Sequence, residues 1–68
     1  MKLHQFLRHL QSANYVCIFD IDGISICQVK SKEDIPQDLY DYDILEIGSG
    51  IIETVMGKRS CFYITIQK

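Results

Sequence analysis

The stretch Tyr15-Val16-Cys17-Ile18-Phe19-Asp20-Ile21-Asp22-Gly23-Ile24-Ser25-Ile26-Cys27-Gln28-Val29-Lys30 decides how this chain folds. Two runs rich in β-branched and aromatic residues, 15–21 and 24–30, flank Asp22-Gly23. Both of those residues tolerate the positive φ of a type I′ turn, so the pattern predicts a β-hairpin. A two-residue turn fixes the register: Ile21 faces Ile24, Phe19 faces Ile26, Cys17 faces Gln28 and Tyr15 faces Lys30. The opposite face then carries Val16, Ile18, Cys27 and Val29. Both faces are apolar, so one takes a helix and the other needs a cover or forms a partner surface. On this reading a symmetric homodimer could form through the spare sheet face, with Val16, Ile18, Cys27 and Val29 as its candidates, or through an exposed edge strand.

Outward from the hairpin, Leu3, Phe6, Leu7 and Leu10 recur at i, i+3, i+4 and i+7. That spacing lays one apolar stripe along a helix over 2–12. Asn14 follows, a residue able to take the left-handed conformation after a helix end. Ser31-Lys32-Glu33-Asp34 resembles a capping sequence, and Pro36 suits the first position of a helical turn over 36–40, with Ile35 and Leu39 as its anchors. Residues 43–48 and 51–56 read as strands on either side of Gly48-Ser49-Gly50, which marks either a tight turn or a bend in one long strand. Gly57-Lys58-Arg59-Ser60 reads as a turn and 61–67 as the last strand. The expected fold class is α+β: one N-terminal helix packed on an antiparallel sheet of four to five strands, with a short helical turn at 36–40.

With 68 residues, the chain has room for a single domain, 1–68. Area scaling places its folded surface near ~4,400 Å², about 40% of what the unfolded chain exposes. Hydrophobic residues at 47% and charged residues at 24% are globular values that argue against a disordered or fibrous chain. No stretch approaches the ~20 apolar residues needed to span a bilayer. Met1-Lys2-Leu3-His4-Gln5-Phe6 is too interrupted to read as a signal peptide. Cys17, Cys27 and Cys61 form an odd set inside apolar runs, which points to reduced, buried thiols and a cytoplasmic setting. A Cys17–Cys27 cross-strand link is the lesser alternative. A formal charge of −2 is wrong for a protein that binds nucleic acid directly.

Phe19-Asp20-Ile21-Asp22-Gly23 after an apolar strand resembles the first motif of haloacid-dehalogenase-type phosphatases. In that family the first aspartate attacks phosphorus and the second serves as acid and base beside magnesium. The likeness stops there. Ile24 stands where those enzymes carry a small hydroxyl residue, and the chain is too short for their parallel sheet and downstream lysine. A magnesium-dependent phosphatase is therefore a remote alternative, and the expectation is no enzyme, no metal and no cofactor. His4 and His9 are five apart on the helix, too far around it to clamp one ion. Gly48-Ser49-Gly50 lacks the pattern of a dinucleotide loop.

The charge distribution says more. Glu33, Asp34, Asp38, Asp41, Asp43 and Glu46 form an acidic run without lysine or arginine, and Tyr40 and Tyr42 are interleaved in it. Carboxylates beside tyrosines suit a basic, nucleic-acid-binding protein: tyrosine supplies rigid buried area while the acids pair with Arg or Lys. Asp38, Tyr40, Asp41, Tyr42 and Asp43 would form the core of that surface, with a solvated connection as the plainer reading.

The order of these features resembles a loose class of very short proteins carried by phages and integrative elements of Gram-positive bacteria. The shared elements are the helix Leu3-x-x-Phe6-Leu7-x-x-Leu10, a strand ending Asp-Gly, the stretch Asp34-Ile35-Pro36-Gln37-Asp38-Leu39, then Tyr-Asp and alternating strands. Some phage proteins of this size are anti-CRISPR or other host-takeover inhibitors. The resemblance implies a context, not a mechanism; within it the leading expectation is a non-catalytic interaction protein in the cytoplasm of a host bacterium, binding and blocking or modulating a host protein such as a CRISPR effector. The resemblance carries no catalytic residue, and no membrane partner is expected.

Overall fold

The computed structural model describes residues 1–68. Its accessible surface is 4516 Å², close to the area expected for a single folded unit of this length. The elements run α1 (Leu3–Leu7), β1 (Tyr15–Phe19), β2 (Ser25–Val29), two 3-10 turns (Lys32–Asp34 and Gln37–Leu39), β3 (Ile44–Thr54) and β4 (Gly57–Ile66). The four strands form one sheet in the order β2-β1-β4-β3. An α+β fold is thus observed, with one correction: β1 and β4 pair in parallel at the sheet centre. Burial explains that placement. β1 and the second half of β4 are the most buried strands, and each needs a neighbour on both sides. The long connection carries the chain from β2 to the far edge, and the β3–β4 hairpin then inserts β4 beside β1.

The first hairpin keeps the expected register at its base, with Cys17 opposite Gln28, and departs from it at its tip. Phe19 pairs with Ser25 instead of Ile26, across a bulge. Asp20 causes the departure. Its Oδ1 accepts the backbone N–H groups of Asp22 (2.9 Å) and Ile24 (3.0 Å), which favours a wider loop over a two-residue turn. Gly23 supplies the positive φ, 81°, that this loop needs.

One core joins Leu3, Leu7 and Leu10 to Val16, Ile18, Ile35, Leu39, Ile64 and Ile66. Phe6 meets Phe62 edge to face at 5.9 Å. Helix α1 is shorter than the sequence pattern suggests. Its last turn tightens, with His9 N–H bonding Phe6 C=O and Leu10 N–H bonding Leu7 C=O. Asn14 does not enter the left-handed region. Lys32 ends the helix instead, its ammonium donating to the carbonyls of Leu7 (3.0 Å) and Leu10 (2.7 Å).

Val16 and Ile18 lie in that core, with Cys27 and Val29 packed against it, so they are no spare face. Strand alternation sends Tyr15, Cys17, Phe19, Cys61 and Tyr63 to the other side of the sheet. There Cys17 and Cys61 are buried with their sulfurs 3.3 Å apart. The Phe19 and Tyr63 rings, 6.2 Å apart, lie on the same side. All three cysteines are free, and Cys27 sits on the opposite face from Cys17, which removes the Cys17–Cys27 link.

Gly48-Ser49-Gly50 is not a turn: of the two readings, one long strand is what forms, and the three residues lie within β3. The Tyr63 ring crosses Gly50, where a Cβ would stand 2.9 Å from its Cε2. The hairpin turn is at Val55-Met56, not 57–60, and Gly57 takes a φ of 104°. The Thr54 hydroxyl holds it, donating to Gly57 C=O (2.8 Å) and accepting Met56 N–H (3.2 Å).

Candidate partner-binding surface

The acidic connection is laid antiparallel along α1, and backbone hydrogen bonds fix it there. Ser12 Oγ donates to Glu33 at one end of the helical segment (2.7 Å). Toward the other end, His4 N–H bonds Tyr40 C=O (3.1 Å), Leu3 N–H bonds Tyr42 C=O (3.0 Å) and Ile44 N–H bonds Met1 C=O (2.8 Å). Tyr40 and Tyr42 are half-buried against the core, so both rings are held rigidly. Ile35 and Leu39 anchor the segment as the sequence suggests, each almost fully buried.

The carboxylates divide into two groups. Glu33 accepts hydrogen bonds from both Ser12 and Ser31, and these hold its pKa down at about 2. Asp43 lies 3.3 Å from the Lys2 ammonium and Asp41 3.9 Å from His4 Nε2, while the Lys68 ammonium stands over the Tyr42 ring at 5.3 Å. Lys2 and Lys68, from the two chain ends, thus bring cations to Asp43 and Tyr42, a placement that a linear reading of the run does not show. Asp34, Asp38 and Glu46 are exposed and have no cation at ion-pair distance. Glu46 stands apart on β3, opposite Thr65.

Beside the connection, His4, Leu7, Arg8, Lys32, Glu33 and Tyr40 line a shallow depression of about 190 Å³. Sequence reasoning missed it because its walls come from two segments more than twenty residues apart, brought together by the reach of Lys32 to the helix end and by the His4 N–H bond to Tyr40 C=O. No three His, Cys, Asp or Glu side chains converge as metal ligands do. In the first hairpin the Asp20 carboxylate is engaged by the turn it closes. No helix is long and apolar enough to cross a membrane. Comparison with family models, curated proteins and solved structures finds no match to this chain.

The buried thiol pair gives a pH-dependent property. Burial, together with the hydrogen bond and charge of Cys17, pushes the Cys61 thiol up to about 12 from an ordinary 9.0. A raised native pKa favours the protonated folded form. Its contribution is therefore complete below pH ~9 and is lost as pH climbs toward 12. Urea unfolding at pH 8 and 10.5 is expected to show a falling midpoint, with a smaller fall in Cys61→Ala; equal falls in both proteins would assign the effect elsewhere.

Proposed function

We propose that this domain is a non-catalytic protein-binding module that engages a basic host protein along the acidic, tyrosine-bearing connection beside α1. One observation carries the reading: Tyr40 and Tyr42 are pinned by the core and by the helix backbone, while Asp34 and Asp38 are exposed on the same connection without a counter-cation. A rigid aromatic pair loses little conformational freedom on binding, and free carboxylates give charge selectivity and a faster approach to a positive surface. The favoured target class is a nucleic-acid-binding enzyme, whose groove is basic by requirement. The resemblance to phage and mobile-element proteins makes a CRISPR effector the first member to test, in the cytoplasm of a Gram-positive host. Of the acidic residues, Asp34 and Asp38 are the best probes, because Glu33, Asp41 and Asp43 also hold the fold.

The experiment is a pull-down from a Gram-positive lysate with wild type and with Asp34→Lys/Asp38→Lys as parallel baits. Any specific partner should bind the double variant roughly tenfold or more weakly, and the difference should shrink in high salt. A partner retained equally by both baits removes the acidic connection as the binding surface.

A further inference from the structure

Beyond that surface, we propose that the outer edge of β3 pairs antiparallel with the same edge of a second copy, about a two-fold axis at Ser49. The sheet order leaves two edges, β2 and β3. β2 is five residues long and lies next to the bulge of the first hairpin, two devices that blunt an edge. β3 is eleven residues long and contains no lysine, arginine or proline to discourage pairing. The amino-terminal segment covers only its start, through Leu3 N–H to Tyr42 C=O and Ile44 N–H to Met1 C=O. Past that point Ile47 and Ile51 are 42% and 69% exposed.

Hydrogen-bond phase selects the residues that can pair. Ile44 N–H points outward to Met1, whereas Asp43 C=O points inward to Gln67 N–H. The bulge between Ile44 and Glu46 shifts this alternation by one residue. Glu46, Gly48, Gly50 and Ile52 therefore turn their backbone groups toward β4, leaving those of Ile47, Ser49, Ile51 and Glu53 facing out. An antiparallel partner centred on Ser49 sets Ile47 opposite the partner's Ile51, Ser49 opposite the partner's Ser49 and Ile51 opposite the partner's Ile47. All of these are outward-facing positions. Sliding the register by two residues sets Ile47 against serine or glutamate and loses the isoleucine pairs. In the favoured register Glu46 and Glu53 lie on opposite faces, so no carboxylates collide. From Ile47 to Ile51 the strand is thus self-complementary in hydrogen bonds, apolar surface and charge, as a two-fold contact requires, while Met1, held on Ile44 N–H, must yield to the partner's strand end. Its formation would join the two four-stranded sheets into one.

Sedimentation from micromolar to millimolar protein tests this directly. Wild type is expected to pass from monomer to dimer. Ser49→Pro removes an outward N–H that has no partner within the chain, and Ile51→Lys puts a charge on an already exposed site. Each, with its fold checked by circular dichroism, should raise the dimer dissociation constant roughly tenfold or more. Register is read separately in a Cys27→Ser background with oxidised glutathione. An equimolar mixture of Ile47→Cys and Ile51→Cys chains should cross-link more than either chain alone. A wild type that stays monomeric, a dimer indifferent to both edge variants, or no preference for the mixed cross-link would each overturn the proposal.

Discussion

Ile64→Ala is expected to cost the domain about 4 kcal/mol, most of its total stability. Ile64 is fully buried in a central strand of the sheet, with Ile18 beside it on β1 and Ile47 beside it on β3. It sits in the core under the leucines of α1. Truncation removes apolar transfer energy and leaves a cavity that a rigid sheet cannot close, and both terms fall at the upper end for a site enclosed on all sides. A chain this short has little in reserve. Ile47→Ala supplies the internal control, because Ile47 pairs with Ile64 across the ladder yet is 42% exposed. It should cost less than about 1 kcal/mol. Urea unfolding of both variants at constant m-value decides the matter. Similar losses at the two positions, or a loss below about 1 kcal/mol at Ile64, would place the core elsewhere.

That contrast also marks what was legible in the residues. Period-two alternation assigned Val16 and Ile18 to one face of their strand and Cys17 and Phe19 to the other, and the leucine stripe identified Leu3, Leu7 and Leu10 as the inward side of the helix. Both signals are local, so a linear sequence carries them. The parallel pairing of β1 with β4 is not local. It joins residues more than forty apart, and nothing in either strand names its neighbour. Which face of the first hairpin takes the helix is hidden for the same reason, since two apolar faces compete equally until the far strand arrives.

The tip of that hairpin failed differently. Asp22-Gly23 is a strong two-residue turn signal, but Asp20 outcompetes it by capturing two backbone N–H groups with one carboxylate oxygen. Gly48-Ser49-Gly50 stayed ambiguous because the reason for Gly50 is the Tyr63 ring, thirteen positions away. At the candidate surface the acidic run and its tyrosines were visible as composition. The pairing of Asp43 with Lys2 and the placement of Lys68 over Tyr42 were not, because those cations come from the two chain ends.

Lys32→Met is expected to destabilise the domain by about 2 kcal/mol, and the loss should not depend on salt. A five-residue helix has almost no stability of its own, and its last carbonyls must find donors. Lys32 adds a second donor to the Leu7 carbonyl, which also accepts Leu10 N–H, and supplies one to the Leu10 carbonyl just past the helix, from a half-buried position. Bonds from an ammonium to neutral carbonyls contribute more than neutral pairs. Methionine keeps the apolar stem and removes only the donor. Exposed ion pairs such as Lys2–Asp43 weaken with ionic strength; a short-range ammonium–carbonyl bond sheltered by the helix does not. Unfolding of wild type and Lys32→Met in low and high salt separates the two cases. A difference that vanishes in high salt would recast Lys32 as a surface charge, and a difference below about 0.5 kcal/mol would show that the helix end is held by its own tightened turn. If the loss is as large as expected, Lys32 fastens the carboxy-terminal end of the helix to the acidic connection, as the His4–Tyr40 and Leu3–Tyr42 backbone bonds fasten its amino-terminal end.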